Sequence, residues 1–214
     1  MDNAPIIDIS KKIAPTTAVW PGDTPVRIET TMSIQAGEMA NLTTLTLSAH
    51  TASHADAPYH MVDGDKTIDQ VDLLPYWGLA QVVTVEKTDG PLLPEDFAAY
   101  DLSSAPRLLV RTPEGQVPHD RFPETIAHPS PALADYLSAN GIILYGTDVL
   151  SMDAIDSQSL PGHHAMINNR IAILEGLDLR FVEDGFYELA ALPLNIVGGD
   201  GSPVRAALRR LSAA

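Results

Sequence analysis

The chain has no cysteine among its 214 residues. Disulfides are therefore absent from the fold, and no thiolate is available as metal ligand or nucleophile. No apolar run comes near the roughly 20 residues that a membrane-spanning helix needs. Basic residues are scarce: 13 Lys and Arg against 28 Asp and Glu leave a formal charge of −15. That balance argues against nucleic acid or an anionic membrane surface as the main partner. The opening stretch "MDNAPIIDISKKIAP" has no basic segment leading into an apolar one, so no signal peptide is read there. Internal repeats and low-complexity linkers are missing too. So is the G-x-S-x-G elbow of a serine hydrolase, and the glycine-rich "GGDGSP" lacks the lysine of a phosphate loop. With 45% hydrophobic residues and a mean hydropathy of +0.02, the expectation is one globular, cytoplasmic domain spanning residues 1–214.

Within those bounds the chain alternates apolar and turn-forming segments. "IIDIS" reads as a short strand, and "WPGDTP" at residues 20–25 as a proline-fixed turn. "NLTTLTLSAH" alternates, with Leu45, Leu47 and Ala49 on one face and Thr44, Thr46, Ser48 and His50 on the other. This predicts a half-buried strand. "LAQVVTVEK", "RLLVRT" and "GIILYGTD" are apolar and β-branched enough for buried strands. Helices are predicted for "LPEDFAAYD", for "SPALADYLSANG" between a serine cap and a terminal glycine, and for the closing "PVRAALRRL". The interleaving predicts an α/β or α+β domain.

Histidine is scarce as well, with seven in the chain, yet three fall in "LSAHTASHADAPYHM". His50, His54, Asp56 and His60 follow the spacing H-x3-H-x-D-x3-H, all on even positions. An extended chain aims such positions to one side. A helix would swing Asp56 away from the first two histidines, and Pro58 would interrupt it. The expectation is a strand end opening into a loop where the four groups converge. Imidazole and carboxylate are what a divalent ion such as zinc takes when thiolates are absent. Three protein ligands and an open position describe a catalytic rather than a structural site. Farther on, "LPGHHAMINNRIAILEGLDL" supplies His163, His164 and Glu175. Glu175 follows the apolar "IAIL", where a carboxylate is costly unless paired or bound to a cation.

The cluster resembles the signature H-x-G-T-H-x-D-x-P-x-H of the metal-dependent cyclase family, and within it the bacterial kynurenine formamidases (arylformamidases). The similarity continues through "WPGDTP", "HHA", "AILEGL" and "ELAALPLNIVGGDGSPVRAALR". It implies a swivelling β/β/α domain, a mixed sheet with flanking helices, assembled as a homodimer. It also implies two zinc ions per subunit, with manganese as the alternative ion. His50, His54 and Asp56 would hold the first, Asp56 and Glu175 would bridge, and a histidine of "GHHA" would join the second. The family's His-to-Glu interval points to His163 rather than His164. His60 would be the acid/base, and Trp20 would line the substrate pocket. The implied reaction is hydrolysis of N-formyl-L-kynurenine to L-kynurenine and formate in tryptophan degradation. The chain departs from the signature at Ala52, where the family has glycine, and at Ser53, where threonine or alanine is usual. If the glycine has positive φ, Ala52 costs stability and shifts the loop. Two competing readings are an isatin-type hydrolase of the same family and a non-catalytic metal-binding protein on the same fold. His60 separates the latter from an enzyme, because a binding module needs ligands but no spare base.

Overall fold

A computed structural model describes residues 4–211 of the chain. Its elements are β1 (Ile6–Asp8), β2 (Arg27–Met32), β3 (Leu42–Thr46), β4 (His54–Asp56), β5 (Trp77–Thr84), β6 (Gly90–Leu92), β7 (Arg107–Arg111) and β8 (Ala127–Pro129). After α1 (Pro131–Ala139) come β9 (Leu144–Thr147), α2 (Pro161–Asn168), β10 (Ala172–Glu175), β11 (Gly185–Ala190), β12 (Gly201–Pro203) and β13 (Ala207–Arg210). Nine of the strands form one mixed sheet in the order β1-β13-β11-β5-β7-β9-β10-β4-β12. Its centre, β5-β7-β9-β10, is parallel, and both flanks are antiparallel.

The central strands are apolar on both faces because both faces are covered. Leu109, Leu144 and Leu174 point into one cluster with Ile9, Tyr76 and Leu189. Leu108, Val110, Tyr145 and Ile173 point into a second cluster, closed by Leu133 and Leu137 of α1 and Met166 of α2. Burying Leu133 and Leu137 stabilises the molecule by about 1.5–3 kcal/mol apiece. An isolated bridge from Ser10 to Leu177 ties the chain after β1 to the chain after β10. The sheet therefore curls around the first cluster, while α1 and α2 flank the other side. The architecture is the α/β mixed sheet with flanking helices that the sequence predicts. Among the described residues no helix is long and apolar enough to cross a membrane.

Helix α1 follows its sequence signals: Ser130 Oγ accepts from Leu133 N at 3.1 Å, and the chain turns out at Gly141 with φ +82°. Three other expectations are corrected. The closing "PVRAALRRL" is no helix but β13, hydrogen-bonded on both sides by β1 and β11. Two full ladders outweigh helix propensities of a few tenths of a kcal/mol per residue. "LPEDFAAYD" makes only a single 3₁₀ turn, Pro94–Phe97. Beyond it the chain bends to place the Tyr100 hydroxyl on the Thr84 carbonyl (2.9 Å) and Asp184 (2.8 Å). The strand in "NLTTLTLSAH" stops at Thr46 and pairs only with β2, so its residues are exposed on both faces rather than half-buried.

Candidate metal centre

Strand β4 is the base of the site. In a strand, residues i and i+2 share a face, so His54 and Asp56 look the same way while Ala55 enters the core. Register then adds a third group, since Glu175 of β10 lies directly opposite His54. His50 comes from the turn before β4, His60 from the 3₁₀ turn Pro58–His60, and His163 from the first turn of α2. The extended half of the cluster is therefore its middle. His50 does not continue a strand, and Pro58 starts a helical turn rather than a loop.

These side chains meet. His50 Nδ1 is 3.0 Å and His54 Nε2 3.4 Å from Asp56 Oδ1, while His163 Nε2 is 3.6 Å from Asp56 Oδ2. Glu175 likewise spans two imidazoles, with Oε2 3.2 Å from His54 Nε2 and Oε1 3.3 Å from His163 Nε2. His164 is exposed to solvent, whereas His163 is buried. Within the set, His54 Nε2, Asp56 Oδ2 and Glu175 Oε1 are buried without a hydrogen-bond partner. Such atoms cost about 1–3 kcal/mol each if left unpaired. A divalent cation would satisfy all three, and the imidazole–carboxylate set suits one. The residues present fit a metal.

Their outward nitrogens are occupied. His54 Nδ1 donates to the Ala52 carbonyl at 3.0 Å, which leaves Nε2 as the lone pair facing the centre. His163 Nδ1 is 2.6 Å from Asp153 Oδ2, and Asp153 also accepts from the backbone N–H groups of Gly162 (2.6 Å) and His163 (3.0 Å). His50 Nε2 is 3.1 Å from Asp200 Oδ2. Carboxylates and carbonyls behind metal-facing imidazoles fix their tautomer and orientation.

Without a cation the site draws protons instead. Burial pulls His50 down, but the hydrogen bond and charge of Asp56, with Asp200, more than offset it and push the group up to about 9. His163 rises to about 10, burial being outweighed by Asp153 and Glu175. Burial would raise the Glu175 carboxyl, yet His163 and His54 hold it well below the usual carboxylate range. His60 behaves differently: burial lowers it, with Asp56 only partly compensating. An imidazole whose hold on its proton is weakened, set beside the cluster, is suited to exchanging a proton with a bound molecule.

The cluster forms the floor of a cleft of about 350 Å³. Trp20 and Phe122 wall it edge-to-face, with ring centroids 5.2 Å apart and planes at 88°. The predicted residues Trp20, His50, His54, Asp56, His60, His163 and Glu175 are thus brought together. Phe122, Asp153 and Asp200 were not legible in the sequence. Asp200 alone had a signal, an acidic residue among the glycines of "GGDGSP". Ala52 adopts φ +59°, and a Cβ on Gly176 would stand 2.2 Å from its carbonyl oxygen. Ser53 ties the same loop down, donating to the Gly176 carbonyl at 2.6 Å and accepting from Lys11 N at 2.8 Å.

Residues 7–154 match the family model described as "Putative cyclase". The chain is 43% identical over 205 residues to a kynurenine formamidase of Salinibacter ruber, covering 95% of this chain and 97% of that protein. It is 41% identical over 207 residues to a kynurenine formamidase of Geobacillus thermodenitrificans, covering 97% and 98%. Among solved structures, a potential metal-dependent hydrolase with cyclase activity superposes with a TM-score of 0.83 at 24% identity, covering 97% of this chain and 99% of that one. An isatin hydrolase bound to thioisatinate superposes with a TM-score of 0.82 at 20% identity, covering 97% and 92%. These two likenesses bear on the fold.

Proposed function

The chain belongs to the cyclase family, and from that premise we propose that it hydrolyses N-formyl-L-kynurenine to L-kynurenine and formate in tryptophan degradation. The observation that carries the reading is the set of buried, unpartnered ligand atoms of His54, Asp56 and Glu175, with His54 and Glu175 lining an aromatic-walled cleft. Two zinc ions are the proposed occupants, with manganese the alternative. His50, His54, Asp56, His163 and Glu175 are the residues that would hold them, with Asp56 and Glu175 shared between the two. A divalent ion there supplies Lewis acidity, polarising a carbonyl oxygen and acidifying water to a pKa of about 7.

The chain's own residues do the rest. Trp20 and Phe122 hold the aryl ring of the substrate and keep the formamide over the floor of the cleft. His60, kept neutral by burial, takes a proton from the attacking water and returns it to the aryl amine nitrogen as the C–N bond breaks. The formyl carbon leaves as formate. A homodimer and a cytoplasmic location belong to the same reading, checked by sedimentation and by cell fractionation.

The test is kcat/KM on N-formyl-L-kynurenine, isatin and formamide, with elemental analysis of the same protein. We expect bound metal and the highest value on the aryl formamide, with Trp20→Ala hurting that substrate most. Isatin preferred by a wide margin would transfer the protein to the other hydrolase activity. Full activity in a metal-free preparation would end the metal assignment.

A further inference from the structure

The stretch "GGDGSP" places in the site a carboxylate that the proposed ligand set does not use. Asp200 directly precedes β12, the edge strand paired to β4. Its Oδ2 lies 3.1 Å from His50 Nε2 and 3.4 Å from His60 Nδ1. The two imidazoles are stacked, centroids 4.0 Å apart and planes tilted by 32°. Each turns one nitrogen to the same oxygen.

The backbone is built for this approach. Gly201 stands in register with Asp56, and a Cβ on it would fall 2.8 Å from His50 Cε1 and 2.9 Å from the Ala55 carbonyl oxygen. Only glycine lets the chain carrying Asp200 run this close to His50. On the other side, Ala57 N donates to the Asp200 carbonyl at 2.9 Å. The glycines that resemble a phosphate loop thus serve to bring one carboxylate against two histidines.

We propose that Asp200 is a positioning residue that sets the tautomer and orientation of His50 and His60 together. A carboxylate only accepts, so the nitrogens facing it carry the protons. His50 is then N–H at Nε2 and a lone pair at Nδ1, where it faces Asp56 Oδ1 at 3.0 Å. Two acceptors that close need a proton or a metal ion between them, and with a metal bound Nδ1 is the nitrogen that would ligate it. His60 is N–H at Nδ1 and a lone pair at Nε2, and Nε2 is the nitrogen that takes the proton from water. The inference rests on the ligand and base roles proposed above.

The experiment uses full-length, zinc-loaded protein as wild type, Asp200→Ala and Asp200→Asn. Three quantities are read: the tautomer of His60 by long-range ¹⁵N NMR, zinc content after dialysis, and kcat and KM for N-formyl-L-kynurenine. Wild type should show His60 protonated at Nδ1. In Asp200→Ala the Nε2–H form should appear, kcat should fall about 10- to 100-fold, and KM and zinc content should hold. Asp200→Asn keeps an acceptor oxygen, so it should retain the wild-type tautomer and lie between the two in rate. A wild-type tautomer and rate in Asp200→Ala would overturn the proposal. Zinc lost in step with the rate would overturn it too, making Asp200 a ligand with His50 and His60, whose nitrogens lie within 4.8 Å of it. If wild type fails on the formamide, the activity reading falls while the NMR measurement still decides the role of Asp200.

Discussion

Ala52 sits at φ +59°, in the left-handed region, where a residue with a Cβ gives up about 1–2 kcal/mol. The conformation is kept because it points the Ala52 carbonyl at His54 Nδ1, 3.0 Å away. Ala52→Gly should keep that contact and relieve the strain. We expect a gain of about 1 kcal/mol, seen as a melting temperature higher by about 2–4 °C, with unchanged metal content. A lower melting temperature would show that glycine's freedom in the unfolded chain dominates. Removing His54 or His60 tests the proposed division between ligand and base. His54→Ala leaves Asp56 and Glu175 facing each other without the imidazole they share, so metal and rate should vanish together. His60→Ala should retain metal while the rate falls about 10²- to 10⁴-fold. Parallel loss of metal in His60→Ala would make it a ligand.

At the scale of elements, the hairpin β2–β3 is the least supported part of the chain. It contributes no side chain to either hydrophobic cluster, and Ile28, Leu42 and Leu45 are 42%, 52% and 56% exposed. An isolated two-stranded hairpin is marginal in water, and aliphatic side chains on both faces call for a cover. The proposed homodimer supplies one if a second copy packs there. Leu45→Asp should then halve the mass measured by analytical ultracentrifugation and leave far-ultraviolet circular dichroism unchanged. A mutant that stays dimeric would move the interface elsewhere. Helix α2 illustrates the opposite case. Asp153 binds its first two N–H groups and His163 Nδ1 at once, so the end of the helix and the imidazole are fixed by one carboxylate.

For the whole molecule the site makes stability depend on pH and metal together. In the metal-free chain His50 and His163 are raised from 6.5 to about 9 and about 10. Raised groups add stability that is complete below their unfolded value of 6.5 and lost as pH climbs through 9 to 10. Asp148, pushed by burial up to about 6 despite its bonds from Thr112, acts in the same direction at lower pH. Glu175 is lowered, so its contribution is present above 4.5 and lost on acidification. It is the same contact as that of His163 seen from the other partner. Chelator-treated protein should therefore show a urea midpoint that falls steadily from pH 6.5 to 10. Zinc-loaded protein should change much less, because the cation replaces those protons. Parallel curves for the two forms would contradict the site's electrostatics.

Much of the site was legible in the sequence because it is local. His50, His54, Asp56 and His60 lie within eleven positions, so any compact path keeps them close, and without cysteine their chemistry points to an imidazole–carboxylate metal site. The buried strands were legible for the same reason, since their apolar, β-branched runs act through neighbours in the chain. The tertiary structure decided what depends on pairing between distant segments. It buried His163 against the cluster and left His164 in solvent by docking α2 on Asp153, and it set Glu175 beside His54 through the β10–β4 register. It carried Asp200 to His50 across 150 positions through a glycine that leaves no side chain in the way. It also turned the helix-prone "PVRAALRRL" into β13, because two hydrogen-bonded neighbours outweigh a propensity worth tenths of a kcal/mol per residue.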